Sequence, residues 1–162
     1  MKFLENSERD NAEEYMMRAV EVAKKSTCLK SKCGSVIIKD GRTIGEGFNS
    51  PPANLESQRR CLDDKTTYDE RVSDKSCCVH AEERAIMDAL KRNPEEIEGS
   101  TLYFVRLDRN NNILFSKKPW CTICSKMALD TGVGEFILWH EEGICLYDTK
   151  EYNSLSFQYK KI

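Results

Sequence analysis

The chain has 162 residues, which suits one domain with a single sizeable core. Hydrophobic residues make up 40% and charged residues 32%, a globular balance, and apolar runs such as Val36-Ile37-Ile38 and Phe136-Ile137-Leu138-Trp139 are far too short to span a bilayer. The net charge of −2 lacks the basic bias by which proteins grip long nucleic acids, so a small substrate is expected and a polynucleotide is not.

The polar opening MKFLENSERD lacks the apolar core of a signal peptide, and a cytoplasmic location is expected. Residues 10–26 read as a helix: Asp10 can cap it, and Met16, Ala19, Val20 and Ala23 recur at helical spacing. Residues 34–40 and 42–48 read as strands joined by the hairpin turn Asp40-Gly41. Residues 49–77 carry Pro51-Pro52 and then a highly charged stretch. They read as irregular, and a segment this long should carry function or an anchor of its own.

A helix is expected over 79–92, stopped by Asn93-Pro94. Residues 100–107 read as a central strand, because they are apolar throughout. Asn110-Asn111-Asn112 reads as a turn, 121–131 as a helix with Gly132 or Gly134 near its end, and 134–140 as another buried strand. In the tail, 144–147 fits a short strand and 148–161 a helix or an irregular cover. This order predicts a mixed sheet with helices packed on its faces, an α/β fold.

Eight cysteines are the anomaly in the composition. Without secretion, thiols stay reduced and spaced cysteines point to metal. Some are expected to be ordinary buried residues: Cys145 on its apolar run, and Cys33 just before a buried strand. His80-Ala81-Glu82 opens one expected helix, and Cys121-Thr122-Ile123-Cys124 opens another. A CxxC at a helix start lets two thiolates face one point, and the helix N-terminus favours the thiolate form. A histidine from a second helix start makes three zinc ligands with an open fourth position, where a catalytic zinc binds and activates water. Glu82 can stand beside that water without ligating and move its proton. Alone, a CxxC fits a redox or structural role and a histidine a surface or core role. The combination H-x-E followed by CxxC is the zinc deaminase signature. His140, the other histidine, ends a buried strand and reads as a structural or rim residue.

Further residues extend the match. Ser26-Thr27-Cys28-Leu29-Lys30, then Gly34-Ser35-Val36-Ile37-Ile38-Lys39-Asp40-Gly41, then Gly47-Phe48-Asn49 resemble the opening of deoxycytidylate deaminases. Over roughly residues 10–140 the chain is similar to the cytidine and deoxycytidylate deaminase superfamily. The resemblance implies a three-layer cytidine deaminase-like fold, with a central mixed five-stranded sheet and helices on both faces. It implies one domain over 1–162, with an insertion at about 49–78. It implies a hydrolytic deaminase acting on deoxycytidylate or a related cytosine nucleotide, with one catalytic zinc per subunit held by His80, Cys121 and Cys124 and with Glu82 as proton shuttle. Ala81 would offer its backbone N–H to the base carbonyl, and Asn49 would contact the sugar or serve only as a strand-end turn residue. A homo-oligomer is also implied.

Some relatives carry a second, structural zinc, and Cys28 and Cys61 with Cys78 or Cys77 suit that role; otherwise these are unligated thiols. Other readings are deamination of another amino-substituted ring (cytidine, tRNA adenosine, guanine or a pterin) and a non-catalytic zinc-stabilised binding module. Two features depart from the family pattern. Pro119 is followed by Trp120 and not directly by the first cysteine, so Trp120 either stacks on a base or packs in the core. Only Glu141-Glu142-Gly143 separates the last two strands, which is hairpin length and makes the fifth strand antiparallel.

Overall fold

The computed structural model describes residues 1–158. A six-stranded sheet runs in the order β1-β6-β5-β4-β2-β3. Its strands are β1 (Lys2–Phe3), β2 (Lys32–Lys39), β3 (Arg42–Phe48), β4 (Thr101–Leu107), β5 (Glu135–His140) and β6 (Gly143–Asp148). The helices are α1 (Asn6–Lys24), α2 (Ala81–Arg92), α3 (Thr122–Asp130) and α4 (Thr149–Ser156). The five expected strands are present, and β1 adds two residues at the edge, antiparallel to β6. A strand that short has no alternation to read in sequence. β4 and β5 are parallel, while β5 and β6 form the antiparallel hairpin expected from the short link.

Period-two alternation sorts each strand's side chains between two cores. Val36, Ile38, Tyr103, Val105, Ile137 and Ile144 meet α1 on one face. Ile37, Leu102, Phe136, Leu138, Cys145 and Tyr147 meet α2, α3 and α4 on the other, which makes three layers. Helix α2 lies very close to β3: a Cβ on Gly45 or Gly47 would come within 2.4 Å of the carbonyl oxygens of Ala85 and Ala81. Glycines in the strand and alanines at 81, 85 and 89 in the helix therefore set where α2 begins. The hairpin turn has positive φ at Asp40 and Gly41, as its sequence predicts.

Helix α1 starts earlier than expected. Asn6 opens it after Glu5, which makes no side-chain cap, so Asp10 lies inside the helix and does not cap it. The helix also ends at Lys24, not at 26. The segment between β3 and α2 is irregular, as predicted, with single 3-10 turns at Pro52–Asn54, Glu56–Gln58 and Lys65–Thr67. Arg84 of α2 pins its start, donating to Asn54 Oδ1 at 2.9 Å and to the Pro51 carbonyl at 2.9 Å. In the tail, β6 is followed directly by α4, and 159–161 of the expected 148–161 element lie outside the described residues. Among the described residues, no helix is long and apolar enough to cross a membrane.

Candidate metal centre and active site

Two helix N-termini on the same face of the sheet meet at one point. His80 immediately precedes α2, Cys121 immediately precedes α3, and Cys124 lies in the first turn of α3. The His80 Nδ1 lies 3.1 Å from Cys121 Sγ and 3.2 Å from Cys124 Sγ, and the two sulfurs are 3.1 Å apart. This triangle is small enough for a point off its plane to lie within zinc–ligand distance of all three donors. The site's own electrostatics favour a cation. The Cys124 thiol, with His80, holds Cys121 down to about 4, and Cys121 in turn pushes His80 up to about 9. Cys121 likewise raises Cys124. The set favours the thiolate form at Cys121, and a metal would displace the donors' remaining protons.

Glu82 stands beside these donors, one residue into α2, and is only 5% exposed. Among the described residues its carboxylate takes a hydrogen bond only from its own backbone N–H. Burial pushes it up to about 7. A buried carboxyl with so little hydrogen bonding is costly in a purely structural core. Ala81, at the first position of α2, has a backbone N–H with no partner inside the helix.

These residues line a cavity of about 690 Å³. Asn49 is buried in its wall, and its amide is largely committed to structure. Oδ1 accepts from Ser26 Oγ at 2.5 Å and from the Cys33 N–H at 2.7 Å, and Nδ2 donates to the Ser31 carbonyl at 3.1 Å. One Nδ2 hydrogen is left over for a ligand. Trp120 sits at the rim, 66% exposed as a residue, so it does not pack in the core. Cys33 lines the cavity as well, its thiol pushed up to about 12 by burial.

Sequence reasoning missed the charge of this cavity. Lys30, Lys65, Lys75, Arg106, Lys117 and Lys118 line it, against only Asp74 and Glu82. The whole-chain balance of −2 hides this concentration. The doublet Lys117-Lys118 just before the CxxC was the available signal. It also missed Tyr152 of α4, which lines the same wall and donates to the Trp120 carbonyl at 3.2 Å.

The remaining cysteines near the insertion also come together. Sulfurs of Cys28, Cys61 and Cys78 lie within 4.8 Å of one another. Cys77 reaches Cys61 at 3.4 Å and accepts the Arg60 N–H at 2.9 Å, so both adjacent cysteines face the cluster. Arg59 donates to Cys61 at 3.4 Å and to the Thr27 carbonyl at 3.0 Å. The Cys78 thiol, aided by the backbone N–H groups of Ser31 and Lys30, lowers Cys28 to about 5. Cys145 is fully buried under the sheet, and His140 is buried with its Nε2 2.7 Å from the Tyr147 hydroxyl.

Residues 9–140 match the family model described as the cytidine and deoxycytidylate deaminase zinc-binding region, which includes all four residues of the H-x-E and CxxC constellation. A deoxycytidylate deaminase of Mycobacterium phage D29 is 30% identical over 132 residues, covering 77% of this chain and 91% of that protein. The deoxycytidylate deaminase of Saccharomyces cerevisiae is 27% identical over 150 residues, 85% of this chain; the match spans only 42% of the yeast protein's length. Among solved structures, the dCMP deaminase of cyanophage S-TIM5 in complex with dCMP and dUMP is 25% identical. That match has a TM-score of 0.56 and covers 81% of this chain and 82% of that one.

Proposed function

This chain belongs to the cytidine and deoxycytidylate deaminase family, and from that membership we propose that it is a zinc-dependent hydrolytic deaminase of a cytosine nucleotide, deoxycytidylate or a close relative. Water adds at C4, the ring amino group leaves as ammonia, and the uracil nucleotide remains. His80, Cys121 and Cys124 would hold the metal, which would supply a Lewis acid able to acidify water at neutral pH. Glu82 would carry the first water proton to ring N3, which keeps it in the uracil product, and then the remaining hydroxyl proton to the amino nitrogen that leaves as ammonia. The Ala81 N–H faces the base carbonyl, the spare Nδ2 hydrogen of Asn49 serves a sugar hydroxyl, and Trp120 at the rim offers a stacking face.

The observation that carries this reading is Glu82, buried beside three convergent metal donors with only its own backbone N–H for a partner among the described residues. A binding module that had only kept the fold would gain nothing from that carboxyl. The six basic residues around the cavity favour a phosphorylated substrate over a free nucleoside or base. The test is a panel of cytosine, adenine, guanine and pterin compounds assayed for ammonia release on metal-quantified protein. Deoxycytidylate should turn over best, and a better purine or pterin substrate would overturn the assignment.

We extend the proposal to a second, structural zinc held by Cys28, Cys61, Cys77 and Cys78. Four sulfurs and no carboxylate make a closed donor set, and N–H groups from Arg59 and Arg60 already point at the sulfurs. Residues 1–162 then act as one domain whose insertion at about 49–78 is anchored by that ion. Homo-oligomer formation belongs to the same reading and is checked by sedimentation.

A further inference from the structure

The loop that delivers Cys121 is held in an unfavourable backbone conformation. Cys121 has φ 80° and ψ 91°, outside the regions an L-residue ordinarily occupies. Such a conformation persists only where its surroundings over-determine it. Downstream, α3 supplies the restraint: the Ser125 N–H donates to the Cys121 carbonyl at 3.0 Å, and the Cys124 N–H to Cys121 Sγ at 3.4 Å. Upstream, the Trp120 carbonyl lies in the peptide plane from which the φ of Cys121 is measured. Fixing that oxygen fixes the plane, and the hydroxyl of Tyr152 donates to it at 3.2 Å.

Tyr152 is well placed to act as a fixed post. Its ring stacks on Phe136 with centroids 3.9 Å apart and 16° between planes, and meets Tyr147 edge-on at 5.8 Å. It is 2% exposed, and burial holds its hydroxyl well above the ordinary tyrosine range, so the hydroxyl remains a donor. Helix α4 is in turn clasped to α3, where Ser125 Oγ meets Asn153 Oδ1 at 2.8 Å and Ser156 Oγ at 3.0 Å. The strained peptide is therefore gripped between two helices that are tied to each other.

We infer that Tyr152 is a positioning residue of the metal centre: through the Trp120 carbonyl it sets the Trp120–Cys121 peptide plane and so aims Cys121 Sγ at His80 and Cys124. The inference rests on the zinc reading above and adds the C-terminal helix to the machinery, although α4 contributes no metal ligand. It also gives the extra residue between Pro119 and Cys121 a physical role, since the carbonyl that Tyr152 grips belongs to Trp120.

Tyr152→Phe tests it, because this variant keeps both ring contacts and removes only the hydroxyl. Tyr147→Phe is the control, losing a hydroxyl of the same kind that bonds His140 instead. In zinc-loaded protein, chelator-driven release from the His80 centre should be about 10–100-fold faster in Tyr152→Phe. Release from the four-cysteine cluster should match wild type, and Tyr147→Phe should match wild type at both. In metal-free protein, backbone amide hydrogen exchange over 121–125 should rise in Tyr152→Phe alone, with β4 and β5 unchanged. Wild-type zinc release together with wild-type exchange over 121–125 would overturn the inference. A wild-type protein that binds no zinc at the His80 centre would defeat the zinc reading, and the metal-free exchange would still decide the role of Tyr152.

Discussion

Two clusters of soft donors line one cavity, and they are built differently. The His80 centre has three donors at helix N-termini, with a buried carboxyl beside them and open cavity in front. The Cys28 cluster has three mutually close sulfurs on irregular backbone, joined by Cys77 through Cys61, with N–H and guanidinium donors beside them and no carboxylate. Helix starts place side chains rigidly, as a reacting geometry requires. Loops place them where a cross-link is useful. Thiols alone do not distinguish a chemical site from a structural one; the number of donors, the vacant side and the neighbouring carboxyl do.

The largest effects should come from the His80 centre. Cys124→Ser should lose one equivalent of zinc and all measurable turnover, while the second equivalent stays, as metal analysis and an ammonia assay would show. Glu82→Gln should keep both equivalents and lose about 10²–10⁴-fold in kcat, the usual contribution of a positioned proton carrier. If it lost zinc instead, Glu82 would be a ligand and the contrast between the clusters would blur.

The opposite signature should come from Cys61→Ser. Turnover per folded molecule should hold, and thermal unfolding should fall. With zinc a hundredfold above its Kd, the lost linkage is about 2.7 kcal/mol. That amounts to roughly 5–11 °C in a chain of this size. Proteolysis should then open the insertion between the exposed Leu62 and Val72. Equal loss of activity from both cluster variants would show that the division of labour is wrong.

Smaller effects probe what surrounds the clusters. Arg106→Ala and Lys117→Ala should each raise KM for deoxycytidylate by about tenfold or more, the cost of one charge-assisted contact. KM for deoxycytidine should barely change, which steady-state kinetics on both substrates would show. The smallest effect lies outside both clusters. Burial holds His140 below its ordinary 6.5, so its contribution to stability is complete above that value. It is lost as the pH falls from 6.5 through the folded value, because the unfolded imidazole takes up a proton first. His140→Gln should flatten that part of the melting-temperature profile and leave zinc content and turnover alone.

The sequence made the candidate centre legible because its parts are local. H-x-E and CxxC each sit within one helical turn, continuous apolar runs marked the buried strands, and the 141–143 link specified the antiparallel β6. Long-range features were harder to read. The two-residue β1 is defined only by its pairing with β6. The start of α1 at Asn6 follows no side-chain cap, so the capping residue at Asp10 was misleading. The basic lining comes from four separate parts of the chain, and the whole-chain charge averages it away. Tyr152 reads in sequence as one aromatic residue in an ambiguous tail; only its hydrogen bond to residue 120 gives it a place at the centre.

The most direct test of the central claim pairs zinc quantification with deoxycytidylate turnover in wild type and Glu82→Ala. The account predicts two zinc ions per chain in both proteins, with ammonia and the uracil nucleotide formed by wild type alone. A Glu82→Ala protein that still deaminates would contradict it.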